Sequence, residues 1–320
     1  MSLIGHADEV ATLREAVLSG RLHHAWLLAG PEGVGKATFA RAAALWMLAT
    51  AAGPAPTGDD FAVEDGHRIA HLFHAGSHPD FRMLRRLPKD KSEELARSIP
   101  IDQVRALQPL FATSPSLSLR RVVLIDAVDD LERAGANALL KNLEEPPAGT
   151  IFILVSHSPG RLLPTIRSRC RLLRFSGLDE ADSARVLRIA LPEQDAGEIA
   201  TLATIAAGAP GQAIRFAGLD VAGLDRAIDR IAREGDATGL QRLTLAKQLS
   251  GKAAQARYEA FLERAPGRIA QAAREGGADL DRKVALWTQA RGIADGAVRL
   301  SMDSQTTVFE MAGLLAKLAG

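Results

Sequence analysis

Gly30-Pro31-Glu32-Gly33-Val34-Gly35-Lys36-Ala37-Thr38 is the stretch that decides the fold. It follows an apolar run of strand length, Ala25-Trp26-Leu27-Leu28-Ala29, and leads into an alanine-rich segment of helical character. Gly30, Gly33 and Gly35 permit a tight loop whose backbone N–H groups converge, and Lys36 opens a helix behind it; together these make a phosphate cradle, a P-loop. The pattern next requires Ser or Thr, whose hydroxyl holds the Mg²⁺ that bridges the β- and γ-phosphates, and the residue there is Ala37. Thr38 lies one position on, and one residue along a helix turns a side chain by about 100°. The cradle therefore lacks one of its working parts.

The rest of the chain sets bounds on this start. With 320 residues it exceeds one ordinary domain. Its formal charge of +1 gives no bulk basic field for nucleic acid. Met1-Ser2-Leu3-Ile4-Gly5-His6 has no basic segment followed by an apolar one, and no apolar run approaches membrane-spanning length, so no membrane association and a cytoplasmic location are expected. One cysteine, Cys170, excludes an intrachain disulfide, argues against zinc and fits a reducing compartment. It reads as a small buried hydrophobe.

Before the cradle, residues 3–20 carry helical periodicity, and Gly5-His6 reads either as a loop or as part of an adenine pocket. After it, Lys36 to Ala52 reads as a helix ended by Gly53-Pro54. Residues 59–80 are polar and carry His67, His71, His74 and His78; their spacing lies along one helical face, but Gly76-Ser77 and Pro79 interrupt it, which favours a solvated loop over a metal site. Phe81 to Arg86 reads as a strand and Ile101 to Leu107 as a helix.

Arg121-Val122-Val123-Leu124-Ile125-Asp126 is a continuous apolar run that delivers a carboxylate, as a buried parallel strand does at its C-terminal edge. In active P-loop ATPases that aspartate supports Mg²⁺, and in one large class the next residue is a glutamate that polarises water; here it is Ala127. Asp129 lies further along the turn and is not placed to act as the base. A helix from Leu131 to Glu145 stops at Pro146-Pro147, and Thr150 to Val155 forms another buried strand. Ser156 at its end reads as a turn residue or as a γ-phosphate sensor. A short helix over residues 161–169 precedes the strand Arg171 to Phe175. Strands alternating with helices, with the cradle after the first strand, predict a doubly wound α/β parallel sheet with ligand at its carboxyl edge.

From Gly177 on the periodicity is helical. The stripes Leu224, Ile228, Ile231, then Leu280, Val284, Trp287, then Val308, Met311, Leu315, Leu318 read as bundle core, or as faces for a neighbouring subunit. The expected organisation is a P-loop domain over residues 1–176, a small helical lid over 177–222 and a C-terminal all-α domain over 223–320.

Three stretches together resemble the clamp-loader branch of the AAA+ ATPases, and within it the delta-prime family of bacterial DNA polymerase III. They are Leu22 to Pro31, Ala136-Asn137-Ala138-Leu139-Leu140-Lys141-Asn142-Leu143-Glu144-Glu145-Pro146-Pro147, and Leu163-Pro164-Thr165-Ile166-Arg167-Ser168-Arg169-Cys170. The resemblance covers about two thirds of the chain. It implies an AAA+ sheet domain, a lid and a helical collar that joins subunits. It also implies gamma/tau ATPase subunits and a delta subunit as partners, with a sliding clamp and primed DNA reached through the assembly. Hydrolysing relatives carry Thr or Ser after the P-loop lysine, Asp-Glu at the acidic strand, and a Gly-x-x-Arg lid arginine. This chain has Ala37, Ala127 and Gly211 at those places, so the resemblance implies a non-hydrolysing member.

ATP held by Gly30, Gly33, Gly35, Lys36, Thr38 and Asp126 without turnover stays open. The family's four-cysteine zinc module has no counterpart here, so no metal is expected. By the same resemblance Arg169 is the arginine finger supplied in trans to a neighbour's ATP, a role worth about 10³–10⁵ in rate. Arg161, Arg167 and Arg171 read as solvated arginines or as DNA phosphate contacts. The competing expectations are an ATP-hydrolysing motor such as gamma/tau, against which Ala37 and Ala127 argue, and a nucleotide kinase, for which no substrate lid appears.

Overall fold

The computed structural model describes residues 3–88, 95–215, 217–276, 279–300 and 302–319. Its chain divides into two compact units, residues 1–215 and 216–320. In the first unit α1 (Ala7–Leu18) precedes β1 (Ala25–Ala29), and α2 (Lys36–Ala52) follows the glycine loop. Next come α3 (Arg68–His74), β2 (Phe81–Arg85), α4 (Ile101–Arg105), α5 (Gln108–Phe111) and β3 (Arg121–Asp126). The unit continues through α6 (Arg133–Glu144), β4 (Thr150–Ser156), α7 (Pro164–Arg167) and β5 (Arg171–Arg174). It closes with α8 (Glu180–Ala190), α9 (Ala196–Ala206) and α10 (Pro210–Arg215).

The five strands form one parallel sheet in the order β2-β3-β4-β1-β5. The apolar runs of β1, β3 and β4 are buried because helices cover both faces. On one side Phe39, Ala43, Trp46 and Met47 of α2 pack against Trp26, Leu124 and Ile153. On the other, Leu139 and Leu143 of α6 join Leu27, Ile125 and Leu154. With every strand parallel, Ala29, Asp126 and Ser156 end at one edge, and the residues that enter the strands gather at the opposite edge. Helices α8 to α10 close on their own small core of Leu187, Ile199, Ala203 and Ala213.

The polar histidine segment is not a solvated loop. His67 Nδ1 accepts from the Ile69 N–H at 3.2 Å and caps α3, whose Ile69, Ala70 and Phe73 are buried. His78 is itself buried and accepts from the Asp80 N–H at 3.1 Å. Three buried apolar residues override the polar composition that favoured a loop.

The second unit contains α11 (Val221–Glu234), α12 (Leu240–Gln248), α13 (Gln255–Arg274), α14 (Leu280–Leu300) and α15 (Ser304–Ala316). Leu224, Ile228 and Ile231 on α11 and Val308, Met311 and Leu315 on α15 are core. Arg264 pairs with Asp225, and Arg268 Nε donates to Asp229 at 2.7 Å, which fixes α13 against α11. Of the two sequence readings of the stripe Leu280, Val284 and Trp287, bundle core is the one the structure corrects: these residues are 45%, 45% and 40% exposed. The face of α14 turned inward is Leu286, Ala290 and Ala297, where small side chains permit close approach.

Candidate functional site

The cradle forms as the glycine spacing requires. Gly33 and Gly35 take φ of 83° and 104°, and α2 begins at Lys36. Lys36, however, is 2% exposed, and its Nζ donates to the Gly30 carbonyl at 2.7 Å and to the Pro31 carbonyl. The ammonium thus occupies acceptors of its own loop. Burial pulls its pKa down to about 8, against the opposing charges of Glu32, Asp129 and Asp126. Ala37 offers no hydroxyl, and Thr38 is exposed one residue further along α2.

The last helix of the first unit lies directly on this loop. The Gly211 N–H donates to the Gly33 carbonyl at 2.9 Å, and Arg215 pairs with Glu32 at 2.9 Å. A Cβ at Gly211 would stand 2.9 Å from both the Cα and the carbonyl oxygen of Gly33. Glycine at the lid position therefore lets two backbones touch. His6 closes another side: its Nε2 donates to the Val34 carbonyl at 2.8 Å and its ring stands edge-on to Phe175 at 4.8 Å.

At the same edge, Asp126 ends β3, and burial raises its pKa while His157 and Lys36 oppose the shift. Ala127 beside it is buried. Asp129 accepts from Ser156 Oγ at 3.1 Å, from the His157 N–H at 2.8 Å and from the Ser158 N–H at 3.1 Å. Its carboxylate is spent on shaping the turn after β4. The hydroxyl of Ser156, fully buried, goes to that carboxylate.

Arg169 stands elsewhere. It precedes β5, whereas the cradle meets the far end of that strand, where the Phe175 N–H donates to the Ala29 carbonyl at 2.8 Å. The four residues of β5 alone span about 13 Å along the strand. Arg169 Nη2 meets Glu144 Oε1 at 2.6 Å and Nη1 donates to the Thr165 carbonyl at 2.9 Å. Its side chain is 33% exposed. Glu144 is the last residue of α6, which returns from the cradle edge to the entry edge, where His24 Nε2 donates to the Leu143 carbonyl at 3.0 Å. The cradle residues and Arg169 thus occupy opposite edges of one sheet.

The family model described as "DNA polymerase III, delta subunit" matches residues 5–179, more than half of the chain. The chain belongs to that family. Among its relatives, DNA polymerase III subunit delta′ of Pseudomonas aeruginosa is 37% identical over 206 residues, which cover 64% of this chain and 59% of that protein. Subunit delta′ of Escherichia coli is 34% identical over 198 residues, 61% of this chain and 55% of that protein. Subunit tau of Bacillus subtilis is 30% identical and is covered over 38% of its length, with 68% of this chain matched. The chain spans between about two fifths and three fifths of the length of these relatives. Similar solved structures include a DNA polymerase III gamma subunit-related protein of Thermotoga maritima, with TM-score 0.41 and 15% identity over 96% of this chain and 99% of that one. Another is a RuvB variant from the same organism, with TM-score 0.44 and 16% identity over 97% and 87%.

In this member of the DNA polymerase III delta-subunit family, the remaining candidates are peripheral. Cys170 is partly buried and its thiol is pushed up to about 12 by desolvation, so it is a poor nucleophile. Among the described residues, no three His, Cys, Asp or Glu side chains lie close enough to hold a metal ion, and no helix is long and apolar enough to cross a membrane. Sequence reasoning missed Glu144 as the partner of Arg169. The available signal was that two unusual stretches, one ending in Glu-Glu-Pro-Pro and one in Ser-Arg-Cys, carry opposite charges. It also missed Lys36 turning inward, because the glycine spacing is the same for an open and a closed loop.

Proposed function

We propose that this chain is a clamp-loader subunit of DNA polymerase III that completes the ATP site of a neighbouring subunit and does not hydrolyse ATP itself. The observation that carries this reading is the separation of the two charged groups. Arg169 precedes β5 and its own cradle lies beyond the strand's other end, so a phosphate that meets Arg169 belongs to another subunit. An arginine suits that task because its guanidinium stays charged and meets phosphate oxygens through a planar fork. The chain's own cradle supports the same reading. It lacks the Mg²⁺ hydroxyl at position 37, the water-polarising carboxylate at 127 and the lid arginine at 211, and its lysine is bonded to its own loop. Positioning and charge stabilisation are lost at each stage of phosphoryl transfer.

ATP held without turnover at Gly30, Gly33, Gly35, Lys36, Thr38 and Asp126 requires Lys36 to leave the Gly30 and Pro31 carbonyls. No cofactor is required by the proposed role. The proposed neighbours are gamma/tau-type ATPase subunits and a delta subunit, with the clamp and primed DNA engaged by the assembly. The isolated chain should show no ATP turnover, and mixing it with the loader ATPase subunits should raise theirs. Arg169→Ala should abolish that rise while the assembly still forms by sedimentation. A rise that survives Arg169→Ala contradicts the proposal, and turnover by the isolated chain that Lys36→Ala abolishes would favour the motor reading.

A further inference from the structure

We infer that Glu144 is a positioning residue for Arg169 and sets the orientation in which the guanidinium meets the neighbour's phosphate; this rests on the trans-finger reading above. Arginine carries four rotatable side-chain bonds, and an unheld one must be ordered each time a phosphate arrives. Here both terminal nitrogens are already engaged, Nη1 by the Thr165 carbonyl at 2.9 Å and Nη2 by Glu144 Oε1 at 2.6 Å. Two contacts fix the plane of the fork, and a guanidinium has five N–H donors, so further donors serve an incoming oxyanion.

Glu144 is itself firmly based. Pro146-Pro147 ends α6 just after it, and His24 fixes the preceding turn through the Leu143 carbonyl at 3.0 Å. Stability alone does not account for its charge. Glu144 and Glu145 sit at the C-terminal end of α6, where the helix dipole disfavours carboxylates. The pair is also half open to solvent, at 33% for Arg169 and 49% for Glu144, where an ion pair stabilises a fold weakly. A carboxylate placed against the dipole and aimed at one arginine is better explained by what it does for that arginine. Preorganised charge acts on the transition state without reorganisation at the moment of transfer.

The test uses the reconstituted loader, with assembly checked by sedimentation for every variant. Glu144→Ala should lower kcat of the stimulated ATPase by roughly tenfold and leave KM for ATP unchanged, because misplacement of a transition-state group costs rate and not binding. Glu144→Gln, which keeps an acceptor oxygen without the charge, should fall between wild type and Glu144→Ala, because a neutral amide oxygen holds a guanidinium more weakly than a carboxylate does. Glu144→Ala should add nothing once Arg169→Ala is present, as two groups acting through one contact do not add. Turnover in Glu144→Ala equal to or above wild type overturns the inference, and so does a loss that multiplies with that of Arg169→Ala. If Arg169→Ala alone leaves turnover unchanged, the finger reading falls and the inference with it; if only Glu144→Ala is silent, the reading stands and the inference alone falls.

Discussion

Single residues in this chain carry opposite assignments from those their neighbours in sequence suggest. Arg121 carries a charge at the start of a strand, yet it is 1% exposed, donates to the Thr113 carbonyl at 3.0 Å and lies 3.9 Å from the buried Asp80. Asp80 in turn accepts from the Ser116 and Leu117 N–H groups at 2.8 and 2.9 Å and anchors the loop before β3. His78 completes this cluster in its neutral form, because its Nδ1 accepts from the Asp80 N–H and burial lowers its pKa, opposed by Asp80 and reinforced by Arg82. The unfolded chain, with an ordinary histidine pKa of about 6.5, takes up the proton first as pH falls, so stability declines below that value. His24, lowered by burial and by His23, acts in the same direction. Denaturant midpoints should therefore fall between pH 7.5 and pH 5.5, and His78→Asn, whose amide oxygen still accepts from Asp80, should flatten part of that slope. An unchanged slope in the variant would mean His78 does not titrate as its hydrogen bond requires.

Whole elements were more legible than their contacts. The strands β1, β3 and β4 and the helix α2 fall where the apolar runs and the glycine loop put them, because strands buried on both faces leave no polar alternation to confuse the reading. Helix α3 was hidden by four histidines, and the docking of α10 on the cradle was invisible because Gly211 leaves no side-chain signal. That contact is testable: Gly211→Ala places a methyl 2.9 Å from two backbone atoms of Gly33 and should destabilise the first unit by about 1–3 kcal/mol. Thermal unfolding checks it, and a melting point equal to wild type would mean α10 and the loop separate without cost. Helix α14 shows the other limit of periodicity, since its stripe of larger apolar residues faces outward. Val284→Ala should change stability by no more than about 0.5 kcal/mol. Ile228→Ala, at 2% exposure on α11, should cost about 2–5 kcal/mol. Chemical denaturation of the two variants distinguishes a surface stripe from a core one.

At the scale of the molecule, parallel topology separates two chemistries that the sequence presents as parts of one motif set. The glycine loop, Lys36, Asp126 and Ser156 gather where the strands end, and Arg169, Glu144 and His24 gather where they begin. The first group is closed upon itself through Lys36, Gly211 and Asp129. The second is partly open and charged. The proposed function draws on this arrangement: the open edge would serve a phosphate on a neighbour, and the closed cradle would act as a joint between the sheet and α10. The most direct measurement is ATP turnover by the reconstituted loader in which this chain alone carries either Lys36→Ala or Arg169→Ala, with assembly verified for both. The account predicts that Lys36→Ala leaves turnover at the wild-type level and that Arg169→Ala removes the share of turnover this chain supports. Loss of turnover with Lys36→Ala and its retention with Arg169→Ala would contradict it.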